Sequence, residues 1–175
     1  MGDRTKYAFA ALAIAASCAT ASLAVAAAGI NCVQFVRSTS TILLAGDAWR
    51  WWDAAKKVYQ RGPTPEPNAV LVFKRTNAMR AGHVAVVASI LDRDTVLLNH
   101  ANWGPDRAGK GRIDVGVPAR DCSRRGDWSS ICVWHDPSQS FGRPYAISGF
   151  VYPRGVAAPP APAARPARNV AASPR

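Results

Sequence analysis

Acidic residues are scarce in this chain. Its 175 residues hold 11 Asp and Glu against 22 Lys and Arg, a formal net charge of +11. Cysteine is scarce too: four residues are too few for a fold built mainly from disulfides. Beyond the N-terminal region no apolar run is long enough to span a bilayer. No internal repeat is present, and no zinc-finger, leucine-zipper or RNP motif accompanies the basic charge. No close Cys/His pair has zinc-ligand spacing, which counts against a zinc site at the cysteine and histidines.

The charge is unevenly spread. Residues 1–28 open with Arg4 and Lys6, run on as Ala, Leu, Val and Ile, and end in small residues at Ala26-Ala27-Ala28. That is the pattern of a secretory signal peptide, with an uncleaved anchor as the alternative. Residues 154–175 are rich in Pro, Ala and Arg and hold no acid, a composition that predicts a disordered tail. The leader carries +1 and the tail +4, which leaves +6 in residues 29–153. Scattered basicity in an exported protein, periplasmic or extracellular, suits an anionic cell envelope as partner and not nucleic acid.

Residues 29–153 read as one domain. Asn31 is a good N-cap for a helix over CVQFVRSTS, with Val33 and Val36 on one side. Asp47 is placed to cap a second helix, AWRWWDAAKKVYQ, in which Ala48, Trp52, Ala55 and Tyr59 recur at helical spacing. Gly62-Pro63 stops it. Six short β-type runs follow, at 69–73, 83–90, 95–103, 112–117, 131–135 and 148–152. They lie too close together for helical crossovers, so the pattern predicts an α+β domain with N-terminal helices on a mostly antiparallel sheet of about six strands.

Three cysteines remain once the leader is set aside. Cys122 and Cys132 flank a polar, turn-like stretch and are a candidate disulfide, with two unpaired thiols as the alternative. Cys32 stands apart, directly after the predicted cap, where helix N–H groups favour a thiolate and can hold an oxyanion. A nucleophilic thiol needs a base, and His83 opens a predicted strand. His100 and Asn102 share one face of the next strand, within reach of His83 across the short LDRD turn. Cys32, His83, His100 and Asn102 thus form a permissible catalytic constellation, and a buried cysteine with two structural histidines is the plainer alternative. Trp49, Trp52 and Trp134 fit buried positions. Trp51 and Trp103 are the candidates for a wall of the substrate groove. His135 has no partner in the pattern.

Read together, NCVQFVRSTS, GDAWRWWDAA, PNAVLVFKRTNAMRAGHVAVVASI, VLLNHANWG, GDWSSICVW and SGFVY resemble, in order and spacing, the CHAP family of cysteine- and histidine-dependent amidohydrolase/peptidases. The resemblance covers residues 31–153 and is closest to the exported single-domain bacterial form. It implies a papain-like fold, peptidoglycan as substrate, Cys32 as nucleophile and His83 as base in a thiolate–imidazolium pair. Where the family often has Glu-x-Asn, this chain has His100-Ala101-Asn102, which leaves either residue as the third member. The acidic calcium-binding run of some family members is missing, so no structural metal and no cofactor are expected, and a monomer suffices. The lost glutamate also leaves open a non-catalytic wall-binding module of the same fold.

Overall fold

The computed structural model describes residues 29–104 and 110–163. The signal-peptide reading of residues 1–28 and the tail from residue 164 lie outside the described residues. Helix α1 spans Cys32–Thr39. Asn31 caps it as the sequence predicts: its side chain accepts from Gln34 N–H at 2.9 Å, and the Gln34 side chain accepts from Asn31 N–H at 3.1 Å. This reciprocal box satisfies two amides that the helix cannot pair internally. Cys32, Phe35 and Val36 are its buried residues, and Val33 is only half-buried.

The second predicted helix is broken up. It is a 3-10 turn at Ala48–Arg50, a four-residue helix α2 at Trp51–Ala54, and another 3-10 turn at Ala55–Lys57. Asp47 makes no side-chain cap. The buried stripe is Ala48, Trp51, Ala55 and Tyr59, not the expected set with Trp52. The tighter winding turns the face by one residue, because 3-10 geometry advances fewer residues per turn.

Among the described residues eight strands follow: β1 Arg61–Gly62, β2 Val70–Phe73, β3 His83–Asp92, β4 Thr95–Ala101, β5 Ile113–Asp121, β6 Ser130–His135, β7 Ser140–Phe141 and β8 Tyr145–Val151. Six match the predicted runs, and the two-residue strands β1 and β7 had no signal. All pairings are antiparallel. The order β8-β2-β3-β4-β5-β6 closes on itself through Ser130↔Ala146 and Ile131↔Tyr145 of β6 and β8. The domain is therefore mixed α+β, and its sheet is a six-stranded barrel with β1 and β7 appended, not an open sheet. Closure removes the exposed edges that an open sheet would leave.

Period-two alternation sorts each strand between two cores. Val70, Val72, Val84 and Val86 face α1 and the α2 region, together with Cys32, Val36 and Trp51. Leu71, Phe73, Ala85, Val87, Leu98, Ile131 and Phe150 face the barrel interior. Tyr145–Val151 also carries Gly149, whose missing side chain makes room for the Trp52 ring; a Cβ there would lie 2.8 Å from it.

Cys122 and Cys132 are joined in a disulfide with Cα atoms 5.7 Å apart, between the end of β5 and β6. The buried Asp121 carboxylate shapes the intervening turn by accepting from Ser123 N–H at 2.7 Å and Trp128 N–H at 3.1 Å. The first residues of the expected disordered tail lie along the domain. Thr64 Oγ1 donates to Pro160 O at 2.7 Å and Arg93 donates to Ala163 O at 3.3 Å. A proline-rich stretch has unpaired carbonyls to offer such donors.

Candidate active site

The capping box fixes where α1 begins, and so where the first side chain of the helix points. That side chain is Cys32, which is 8% exposed. The backbone amides of Val84, Val33 and Cys32 itself favour its thiolate form. Val84 is the second residue of β3, so the thiol lies beside the start of that strand. Among the described residues Cys32 is the free cysteine.

His83 is the first residue of β3 and is 3% exposed. It is reached through Gly82, which has φ +71° and whose Cβ, if present, would lie 2.7 Å from Trp49 N. Only glycine meets both demands without strain. His83 Nε2 and His100 Nδ1 are 3.0 Å apart. The two rings meet edge to face, with centroids 5.2 Å apart. His100 is fully buried, and its Nε2 has no hydrogen-bond partner among the described residues.

Asn102 is not on His83. It sits just past β4 at φ +63°. Its N–H donates to Arg112 O at 2.8 Å and its Oδ1 accepts from Gly111 N–H at 2.9 Å. It ties down the turn that enters β5. That turn touches the chain just ahead of the cysteine: a Cβ on Gly111 would lie 2.4 Å from Gly29 Cα. The same turn carries Lys110, whose positive charge bears on both Cys32 and His83. Sequence reasoning missed Lys110, and no local pattern marks it, because contacts between distant segments, Gly111 with Gly29 and with Asn102, place its turn.

The two tryptophans expected to line a groove separate. Trp51 is wholly buried in the layer under α1, and its indole N–H lacks a partner among the described residues. It offers no surface to a ligand, which corrects that expectation; the one-residue turn of the α2 face is the cause. Trp103 is half-buried and packs on both imidazoles, with ring centroids 4.7 Å from His83 and 5.4 Å from His100. Phe73 and Tyr145 back it at 5.3 and 5.1 Å. Trp134 is half-buried against Phe141, and the exposed His135 hydrogen-bonds Ser138.

Burial dominates the electrostatics. Desolvation pushes the Cys32 thiol up, against the lowering effect of the three amides and Lys110. It holds His83 well below the usual imidazole range, and the charges of His100 and Lys110 lower it further. It brings His100 down to about 4, although Asp114 opposes this. A low-dielectric site favours the neutral form of each group. Both shifts run against the thiolate–imidazolium form that the resemblance implies. A carboxylate at position 100 would have opposed this; an imidazole does not.

With His83 Nε2 engaged by His100, Nδ1 is its other ring nitrogen. Among the described residues no group of three or more His, Cys, Asp or Glu could hold a metal ion. No described helix is long and apolar enough to cross a membrane. The family model of the CHAP domain matches residues 23–102, a span that holds α1, both histidines and Asn102. No curated protein matches the chain.

Proposed function

Since the chain carries a CHAP domain, of a family generally amidohydrolase- or peptidase-like and acting on peptidoglycan, we propose that it hydrolyses an amide or peptide bond in cell-wall stem peptides, with Cys32 as nucleophile. The observation that carries this reading is the buried thiol at the helix start, beside a strand whose first residue is a histidine already hydrogen-bonded to a second. His83 Nδ1 takes the thiol proton as the sulfur attacks the carbonyl carbon. Transfer is concerted with attack because neither charged form is favoured at rest. The tetrahedral oxyanion receives the N–H of Cys32 and a second donor, and Lys110 adds a positive field. His83 then gives its proton to the leaving amine as the C–N bond breaks. Water, deprotonated by His83, hydrolyses the thioester and frees the thiol.

His100 is the third member in this reading. It accepts the Nε2–H of His83, which fixes the ring and its tautomer. Trp103 supplies the apolar wall over the two rings and one side of the substrate groove. Residues 1–28 direct export and are removed, residues 29–153 work as a monomer in the periplasm or outside the cell, and the basic tail favours the anionic envelope. A second reading, a wall-binding module without activity, draws on the depressed basicity of His83.

Digestion of purified peptidoglycan, read by mass spectrometry of released fragments, tests the proposal. The wild-type chain is expected to release peptide fragments and Cys32→Ala to release none while keeping its unfolding midpoint. Hydrolysis by Cys32→Ala refutes the assignment. Wall binding with no cut by either protein leaves the binding module.

A further inference from the structure

The loop between β2 and β3, residues 74–82, takes no part in the chemistry above. It carries Lys74, Arg75 and Arg80 and no acid. It is also well held. Thr76 and Met79 exchange backbone hydrogen bonds at 3.1 Å in both directions, and Gly82 N–H donates to Met79 O at 3.0 Å. Lys74 N–H donates to Ala146 O at 3.0 Å, and Trp49 N–H to Ala81 O at 3.2 Å.

A cavity of about 400 Å³ opens on this loop, lined by Arg75, Thr76, Asn77 and Arg80. Neither guanidinium has an ion-pair or hydrogen-bond partner among the described residues. Arg75 lies over the Trp49 ring at 4.8 Å, and Arg50 lies 5.1 Å from the same ring. Stacking occupies the face of a guanidinium and leaves its N–H edge free for an acceptor. Like charges gathered without a counter-ion repel, and an oxyanion between them relieves that repulsion. The Thr76 hydroxyl and Asn77 amide add neutral donors.

We propose that this cavity is a subsite for a carboxylate of the peptide being cut. This deepens the hydrolase reading and rests on it for the substrate class. Arg80 precedes His83 by three residues, at most about 11 Å of extended chain. An anion held there lies near enough to His83 to belong to the peptide being cut, and the anions of a peptide are carboxylates. The planar guanidinium fork matches that group in a bidentate manner.

The test uses Cys32→Ala to separate binding from turnover. Calorimetric titration compares a wall stem tetrapeptide bearing free carboxylates with its amidated counterpart. The carboxylate form is expected to bind about tenfold more tightly, and Arg75→Gln/Arg80→Gln to remove that preference, as for charge-assisted hydrogen bonds. Both arginines are exposed, so the double variant keeps its fold. In the active chain the loss is expected on KM more than on kcat. Equal affinity for the two peptides in the parent overturns the subsite, as does an equal loss for both in the double variant. Tight binding of a phosphate-bearing wall polymer, lost in the double variant without any peptide preference, overturns it in favour of a phosphate site. If the carboxylate peptide binds selectively but the active chain never cuts it, the hydrolase reading fails and the subsite stands. If both peptides are cut with equal KM, the subsite fails and the hydrolase reading stands.

Discussion

The layer beneath the helices and the interior of the barrel are built from opposite faces of the same strands, yet they contribute different halves of the site. The helix layer supplies the thiol, placed by a capping box local to four residues. The barrel interior supplies the imidazoles and their aromatic wall, gathered from β2, β3, β4 and β8 and the residues after β4. The thiol is thus positioned by local order and the imidazoles by long-range closure. The pair exists only where α1 is seated against the start of β3. Damage to the barrel therefore removes the whole fold, whereas damage to the helix layer separates thiol from base.

Truncation inside the barrel is the strongest blow. Leu98→Ala empties a fully buried position, and a loss of about 2–5 kcal/mol in urea unfolding is expected. A loss under about 1 kcal/mol there breaks the claim that the barrel carries the fold.

Acid comes next, because the barrel holds its histidines neutral. A histidine whose folded pKa lies below its unfolded value binds fewer protons folded than unfolded in the window between them. Stability is then full above about pH 6.5 and falls as the pH drops toward the folded pKa. His100, brought to about 4, is expected to take roughly 3 kcal/mol with it across pH 6.5 to 4. His83 shifts in the same direction and steepens the fall. His100→Asn, measured by urea unfolding at several pH values, is expected to flatten this slope. An unchanged slope means the imidazoles are not the groups responsible.

The disulfide braces β5 against β6. Replacing both Cys122 and Cys132 by Ser is expected to cost about 2–3 kcal/mol, as for a short closed loop, and to leave hydrolysis per folded molecule unchanged. A fall in kcat sharpens the comparison by coupling this turn to the imidazole pair.

The smallest stability effect falls on the helix layer. Asn31→Ala removes the cap of α1 and is expected to cost about 1 kcal/mol. Its effect on kcat/KM is expected to exceed its effect on stability, because the cap sets the position of Cys32. Equal losses in the two measurements break the division of labour proposed between the two cores.

Much of this was legible in the chain. Asn31 and Gln34 stand at cap spacing, so α1 began where expected. The alternating runs marked six strands, because half-buried strands must alternate. The α2 region failed because its apolar spacing fitted a continuous helix, while packing on Gly149 and Val84 favoured short 3-10 turns; Trp51 and Trp52 exchanged places as a result. Cys32 and His83 were legible as chemistry-bearing residues in suggestive local positions. The choice between His100 and Asn102 was not, because they lie two residues apart around the end of β4 and only the tertiary structure turns one inward and the other toward Gly111.

By itself the sequence determined a basic α+β pattern, the helix that starts at its one outlying cysteine, the strands, and the nearness of His83 to His100 across a short turn. Those are properties of caps and periodicity, set within a few residues. Only the tertiary structure decided that the sheet closes into a barrel, that the two imidazoles lie buried within hydrogen-bond distance, that the charge of Lys110 bears on the site, and that Arg75 and Arg80 share a cavity. Each of these depends on contacts between segments far apart in the chain, where burial and proximity, not residue type, set the charge and the role.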